Sequence, residues 1–248
     1  MGNIESTDQS KKPNRKLLEK AEVLHEIVLR TFYTKTYRVC SIPNTDQFYV
    51  RGNNDILRCM NTKGALLAEI VTESTADPAD LTVTREGYLV YIDWWDKSIK
   101  IRKSGKNEWL ITSEDFYPWG ICSTSTDDLL VTMKSFITEN KNLDIVVSDI
   151  KIKKVVVVDK EGKFRFSYNG NLKKPFDPRG VTTDSMCHIL IADSSNNVIH
   201  IIYQNGQFLQ YIDNCNLQGP NDLSTDSNDM LFVAEFETNI VKHIKYLE

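Results

Sequence analysis

The chain has 248 residues, 41% of them hydrophobic, which is enough for one domain with a sizeable core. Its net charge of −4 gives no reason to expect binding to DNA or to an anionic membrane, and no run of about 18 apolar residues predicts a membrane span. Five separated cysteines without CxxC or CxxH spacing argue against a zinc finger and a disulfide scaffold, and they are typical of a cytoplasmic protein.

The beginning of the chain gives two different signals. Residues 1–15 are polar and predict a disordered arm, and Gly2 lies in a short sequence that matches the N-myristoylation pattern, which often arises by chance. Between residues 16 and 30 the apolar positions fit one face of a helix, but the run from Val23 to Val28 also fits a strand.

The clearest repeated unit lies between Gly180 and Ile212. It contains four short apolar runs separated by polar turns, and the last turn carries the pair Asn205-Gly206. Such a pair between two alternating runs is typical of a β-hairpin. Four strands joined by tight turns in about 33 residues predict an antiparallel meander, which is the unit of a propeller blade.

Copies of this unit run through the whole chain. They lie near residues 37–71, 81–112, 120–134, 143–169, 180–213 and 222–248. The step between copies is about 42 residues, except for a step of about 16 between Met133 and Asp149. The short step indicates that the last two strands of the third copy and the first strand of the fourth are missing. We therefore predict an all-β propeller over residues 16–248, six-bladed in plan with one truncated blade, with a five-bladed ring as the alternative.

The sixth copy, which begins near Asp222, has three apolar runs instead of four. A ring of blades must be closed, because unpaired end strands are open to aggregation. The run at residues 23–28 is the remaining segment with strand character, so we expect it to complete the last blade. The alternative is an amphipathic helix lying outside the ring.

Several of these segments resemble a known repeat family. First strands follow sequences such as Pro178-Arg179-Gly180-Val181, and second strands end in Ala-Asp or Ile-Asp. This pattern resembles the NHL repeat, and the segments ENKNLDIVVSD, VVVVDKEGKFRFSYNG and FDPRGVTTDS are similar to the propellers of invertebrate tripartite-motif (TRIM) proteins. The resemblance implies a protein-recognition module like the substrate-binding propeller of TRIM-type ubiquitin ligases. Since RING and B-box cysteines are missing, we expect a non-catalytic chain.

Acidic residues end the second strand of four copies: Asp93, Asp149, Asp193 and Glu235. Carboxylates at one height could hold calcium, or a metal in a channel as in six-bladed lactonase-type hydrolases, which are the enzymatic alternative. Repetition in each copy favours instead a carboxylate that accepts N–H bonds in its own turn. We therefore expect no metal site and no cofactor. His200, at the same place as Lys100, Val156 and Lys242, is expected to face solvent.

The distribution of charge gives the candidate binding surface. Residues 141–179 contain ten Lys or Arg against five Asp or Glu, whereas residues 180–248 contain nine acids against two lysines. Turns after second strands and loops before first strands share one face of a propeller. The candidates on this face are Trp94, Trp95, Lys97, Trp119, Lys151, Lys153, Lys154, Lys173, Lys174 and Arg179. Aromatic and basic side chains together favour a protein partner, or single-stranded RNA as the alternative; a solvated loop face with tryptophans packed between blades is the simpler interpretation.

Overall fold

A computed structural model of the protein describes residues 15–32, 35–72 and 77–248. The myristoylation pattern at Gly2 and almost all of the arm predicted at residues 1–15 lie outside these residues. Arg15, the last residue of that arm, is described, and its guanidinium donates to Asp229 Oδ2 at 3.0 Å. The described residues contain no helix long and apolar enough to cross a membrane.

The described chain forms 22 strands and one short 3-10 helix at Ser194–Asn196. The strands are β1 Leu17–Val28, β2 Thr36–Ser41, β3 Gln47–Gly52, β4 Ile56–Asn61, β5 Leu66–Val71, β6 Leu81–Val83, β7 Leu89–Asp93, β8 Ser98–Lys103, β9 Lys106–Thr112, β10 Gly120–Ser123, β11 Leu129–Thr132, β12 Phe136–Glu139, β13 Ile145–Asp149, β14 Lys154–Val158, β15 Phe164–Tyr168, β16 Pro178–Thr183, β17 Ile189–Asp193, β18 Val198–Ile202, β19 Phe208–Ile212, β20 Pro220–Thr225, β21 Leu231–Glu235 and β22 Ile240–Leu247.

These strands form five four-stranded antiparallel sheets and one two-stranded sheet. We number them in chain order as blade 1 (β2–β5), blade 2 (β6–β9), blade 3 (β10–β11), blade 4 (β12–β15), blade 5 (β16–β19) and blade 6 (β20–β22 with β1). The first strand of each blade contacts the first strand of the next, and β20 contacts β2, so the blades surround one axis. The prediction of an all-β propeller is confirmed. The five complete blades match the five-bladed alternative. The six-bladed plan is met only in part, because blade 3 is reduced to two strands.

The fourth blade differs from the sequence prediction. The sequence predicts that its first strand is missing, but β12 supplies it, so blade 4 begins at Phe136, and among the described residues only blade 3 lacks strands. The chain passes from β11 to β12 through residues 133–135 alone. This short passage brings Ser135 against β10, where a Cβ on Gly120 would collide with the Ser135 carbonyl. Glycine at this position therefore permits the direct step from blade 3 to blade 4.

The ring is closed by strand β1, which pairs antiparallel with β22 from Leu17↔Leu247 to Val28↔Ile240. The segment is a strand over its whole length, longer than the expected 23–28, and the helical alternative for it is wrong. Its inward residues Ala21 and Ile27 are buried, whereas most of its other side chains are exposed. Closure by β1 removes the open edge that β22 would otherwise present.

The hydrophobic core lies between neighbouring blades. Ile70 of blade 1, for example, packs with Leu81, Leu89 and Tyr91 of blade 2. In the same way Tyr168 of blade 4 packs against blade 5. Each blade therefore buries its faces against the blades beside it.

Candidate binding site at the channel mouth

One end of the propeller axis opens into a cavity of about 440 Å³, which we call the channel mouth. The loops that enter first strands and the turns that leave second strands meet there. Its lining combines three arginines with aromatic rings, and its charged or aromatic members are Arg38, Arg51, Arg179, Asp77, Tyr37, Trp94, Trp119, Phe136 and Phe236. Arg38 and Arg179 already contact the carboxylates of Asp80 and Asp177, so an anionic group in the cavity would bind through the arginine N–H donors that these contacts do not use.

The arginines are held in place by their neighbours. Arg51 is 8% exposed, donates from Nε to the Pro78 carbonyl, and lies with Cζ 4.7 Å from the centre of the Tyr37 ring. Burial, together with the nearby charge of Arg38, lowers the pKa of Arg51 to about 10, so it remains protonated at neutral pH. Arg179 is about one-third exposed, and its Nη2 lies 3.3 Å from Asp177 Oδ2. A guanidinium fixed in this way can bind a carboxylate with little loss of side-chain entropy.

Below the mouth, Arg38, Asp80 and Asp222 form a buried charged cluster, which we call the channel cluster. Arg38 Nε donates to Asp80 Oδ1 at 2.9 Å. Asp80 Oδ2 accepts the Ile121 N–H at 3.0 Å, and Asp222 Oδ2 accepts the Val39 N–H at 3.0 Å. The two carboxylates therefore connect the first strands of neighbouring blades around Arg38.

Protonation of the channel cluster depends on pH. Burial, with a contribution from the charge of Asp80, raises the pKa of Asp222 to about 7, although Arg38 acts in the opposite direction. Burial also raises the pKa of Asp80. A carboxyl group that titrates near neutral pH can donate or accept a proton under physiological conditions. The cavity beside it measures only about 110 Å³, which is room for a few water molecules.

Another cavity, of about 450 Å³, lies next to the channel mouth above blade 3, and we call it the apolar groove. It is lined by Trp94, Tyr117, Trp119, Met133, Lys134 and Ile150, and three of these residues also line the mouth. The Trp94 and Tyr117 rings lie 5.9 Å apart. Tyr117 is 52% exposed and Met133 is 62% exposed, so the groove presents apolar surface to solvent.

The structure brings together only some of the residues predicted for the binding surface. Trp94, Trp119 and Arg179 line the mouth. Trp95 is 65% exposed, and Lys97 Nζ donates to the Glu114 carbonyl at 3.0 Å. The remaining candidates, all exposed outside both cavities, are Lys151, Lys153, Lys154, Lys173 and Lys174.

Sequence reasoning missed Arg38, Arg51 and the channel cluster. Asp80 and Asp222 stand where other copies have Gly120 and Gly180. An aspartate in place of glycine near the start of a first strand is the sequence feature that could have predicted the channel cluster.

The acids that end second strands have local partners. Asp93 Oδ2 accepts a hydrogen bond from Lys100 Nζ at 2.9 Å, and Glu235 Oε1 lies 3.2 Å from Lys242 Nζ. Asp149 Oδ1 accepts the Lys151 N–H at 2.8 Å, the turn contact that its position favours. Within residues 15–32, 35–72 and 77–248, no group of three or more His, Cys, Asp or Glu side chains is arranged to hold a metal ion.

The expectation that His200 faces solvent is wrong. The side chain is fully buried, with Nδ1 2.8 Å from Tyr168 Oη and Nε2 3.1 Å from Asp193 Oδ2. Burial alone would raise the pKa of Asp193, but hydrogen bonds from His200 and Asn196 hold it below its usual value. The position is buried because the preceding blade, blade 4, covers this face of the third strand with Tyr168.

Comparisons with known proteins identify the fold and no family. No protein-family model matches the chain, and no curated protein sequence matches it. Catalytically inactive virginiamycin B lyase from Staphylococcus aureus with quinupristin is 14% identical, with a TM-score of 0.65, over 90% of this chain and 88% of the lyase. A streptogramin B lyase is 12% identical, with a TM-score of 0.67, over 93% of this chain and 99% of that chain. The WD40 propeller domain of Doa1 is 13% identical, with a TM-score of 0.61, over 85% of this chain and 78% of that chain.

These similarities correct the expectation that the chain is not an enzyme. Two of the three structures are lyases, so proteins of this fold include enzymes. Missing RING and B-box cysteines therefore do not exclude catalysis. Identities of this size show the fold alone, because proteins of one fold have many different functions.

Proposed function

We propose that the chain is a recognition propeller of the NHL type whose channel mouth and apolar groove bind an acidic segment of a protein partner. The observation that carries the proposal is the continuity of the two cavities: three arginines line one, and exposed aromatic and aliphatic side chains line the other. A TRIM-type substrate-binding propeller would use such a surface to hold its substrate.

The chemistry of the lining defines the ligand. Arginine binds a carboxylate through two parallel N–H bonds, and Arg179 is accessible for such a contact. Tryptophan and tyrosine are the side chains that most often dominate the binding energy of protein interfaces. We therefore expect a ligand with an apolar or aromatic side chain in the groove and, beside it, an Asp or Glu side chain that enters the mouth.

Selection from a random peptide library on the purified chain tests this proposal. Selected peptides should combine an acidic residue with a neighbouring large apolar one. Their affinity should fall by about 30-fold or more for Trp119→Ala and for Arg179→Glu, the size expected for loss of a central contact. Trp109→Ala is the matched control, because Trp109 is 59% exposed on β9 and lies outside both cavities. Peptides that bind both variants as well as the unchanged chain would refute the assignment.

Single-stranded RNA is the second candidate, favoured by the exposed lysines on the same face. Binding through Lys153 and Lys154 would weaken steeply with salt, because phosphate contacts release counterions. The double change Lys153→Glu with Lys154→Glu should then abolish retention of a single-stranded RNA on a filter. Retention that is unchanged by this double substitution would remove RNA as a ligand.

A further inference from the structure

Blade 3 has an open edge where the other blades have two more strands. Strand β11 pairs with β10 on one side, and no other strand of the described residues pairs with it. In an antiparallel ladder, hydrogen-bonded and non-hydrogen-bonded residue pairs alternate. The Thr124 N–H donates to the Asp128 carbonyl at 2.8 Å, so Thr124 and Asp128 are a hydrogen-bonded pair. The backbone groups of Leu129 and Val131 consequently point away from β10. Such a row of donors and acceptors is the template on which a further strand adds.

The wall of blade 2 beside this edge carries an uncovered apolar residue. Ile111 of β9 pairs with Ile99, and the corresponding outer-strand residue in each other complete blade is nearly buried. The exposed fractions are 5% for Ile70, 7% for Tyr168, 0% for Ile212 and 3% for Ile27, against 50% for Ile111. Tyr168 Oη lies 2.8 Å from His200 Nδ1 on the third strand of the next blade, and Ile212 and Ile27 share hydrophobic clusters with third-strand residues of the blades that follow them. Ile111 is exposed because blade 3 has no third strand in the described part of the chain.

The wall of blade 4 shows the same deficit. Its face toward blade 3 carries four apolar residues, Ile145, Val147, Val156 and Val158, all half-buried. The corresponding residues of blade 5 are Ile189, Ile191, His200 and Ile202, all 0% exposed. We call the space between these walls, with β11 as its floor, the notch. Both walls of the notch thus present apolar side chains at positions that are buried elsewhere in the ring.

We propose that the notch receives an extended segment of a partner protein, which pairs antiparallel with β11 and takes the place of the third strand that blade 3 lacks. This inference does not depend on the arginines of the channel mouth. The exposed backbone of β11 selects a strand, because a strand alone presents matching donors and acceptors along its length. The apolar walls select side chains on both faces of that strand. The partner segment is therefore a continuous run of β-branched or other apolar residues, and not an alternating one.

The depth of the notch disfavours a second copy of the same chain. Neighbouring blades extend two strands beyond β11, which at a spacing of about 4.7–4.9 Å per strand recesses the edge by about 9–10 Å. A second folded copy carries its own β11 at the same depth and cannot bring it into contact. A single segment or hairpin is narrow enough to enter.

The test uses a synthetic peptide of residues 154–168 as the probe. In blade 4 this hairpin forms the third and fourth strands, and its Val155–Val158 run is apolar on both faces. We expect saturable binding of the labelled peptide to the full chain, with several-fold slower hydrogen exchange at the Leu129 and Val131 amides. A peptide N-methylated at Val156 and Val158, which lacks the donors that face the second strand, should not bind.

A matched pair of variants separates the notch from the rest of the surface. Ile111→Lys should weaken binding of the peptide at least tenfold, whereas Val71→Lys should leave it unchanged. Both side chains are exposed on outer strands, at 50% and 61%, so neither change should unfold the chain. Equal binding by the N-methylated peptide, or no saturable binding of either peptide, overturns the proposal. Concentration-dependent protection of Val131 without any peptide would identify a second copy as the occupant and would also overturn it. Arg179→Glu should not affect the peptide, so this result stands apart from that for the channel mouth.

Discussion

Asp222 illustrates how the ring converts a repeated sequence position into an electrostatic contact. Asp222 lies in the first strand of blade 6, and its carboxylate accepts a hydrogen bond from the Val39 N–H of blade 1. Asp80 makes the matching contact from blade 2 to blade 3. Arg38 lies between them as the compensating charge. Because both acids are buried, each proton that they release has to be balanced within the channel.

The pH dependence of stability should reveal this cluster. Since the pKa of folded Asp222 is raised to about 7 from an ordinary 3.8, the folded state keeps a proton that the unfolded state loses between about pH 4 and pH 7. Stability should therefore fall as pH rises through this window, by up to about 1.4 kcal/mol for each pH unit. Asp222→Asn should reduce this fall.

Urea unfolding of both proteins from pH 4 to pH 8 measures the effect. The free energy of unfolding of the Asn variant, relative to the unchanged chain, should increase as pH rises. Parallel pH profiles for the two proteins would show that Asp222 does not titrate in this range.

Single residues of the site were only partly predictable from the sequence. Trp94, Trp119 and Arg179 were placed on one face because the loop types of a propeller determine it. Arg38 and Arg51 lie within strands β2 and β3, and their inward direction depends on how blade 1 is rotated about the axis. Local sequence contains no information on that rotation.

Among the elements, the outer strands of the blades differ in how much of their surface the neighbouring blade buries. Ile212 of β19 is 0% exposed against blade 6, whereas Ile111 of β9 occupies the corresponding place beside the notch. We expect Ile212→Ala to lower the free energy of unfolding by about 2–5 kcal/mol, and Ile111→Ala to lower it by less than about 1 kcal/mol. Chemical denaturation of the two variants under identical conditions gives the comparison. Equal losses would mean that Ile111 is covered in solution.

Strands were predictable where alternation and turn residues coincide. The run Val198–Ile202, the Asn205-Gly206 turn and Phe208–Ile212 all appear as the repeat indicated. Strand β12 was missed because it has only four residues and follows β11 without a glycine turn. Strand β1 was ambiguous, since its partner β22 lies at the far end of the sequence and decides its conformation.

At the scale of the whole molecule, the ring depends on the pairing of β1 with β22. Removal of residues 1–28 deletes β1 and exposes the edge of β22 together with the core around Tyr246 and Leu247. We expect the truncated chain to lose its cooperative unfolding transition and to associate through the exposed edge. Size-exclusion chromatography and thermal unfolding followed by circular dichroism measure both effects. A monomer with an unchanged midpoint would show that the ring is stable without closure.

Closure by two distant segments also sets an order for biosynthesis. Strand β1 leaves the ribosome before any of the blades, but β22 follows only after nearly all of the remaining chain has been translated. At about 5–20 residues per second, β1 must wait on the order of ten seconds or more without its partner. Blades 1 to 5 can assemble on the nascent chain during that delay. The pairing of β1 with β22 that closes the propeller is therefore a late event. Until then, a cell that makes this protein has to keep the long, partly apolar strand β1 from aggregating.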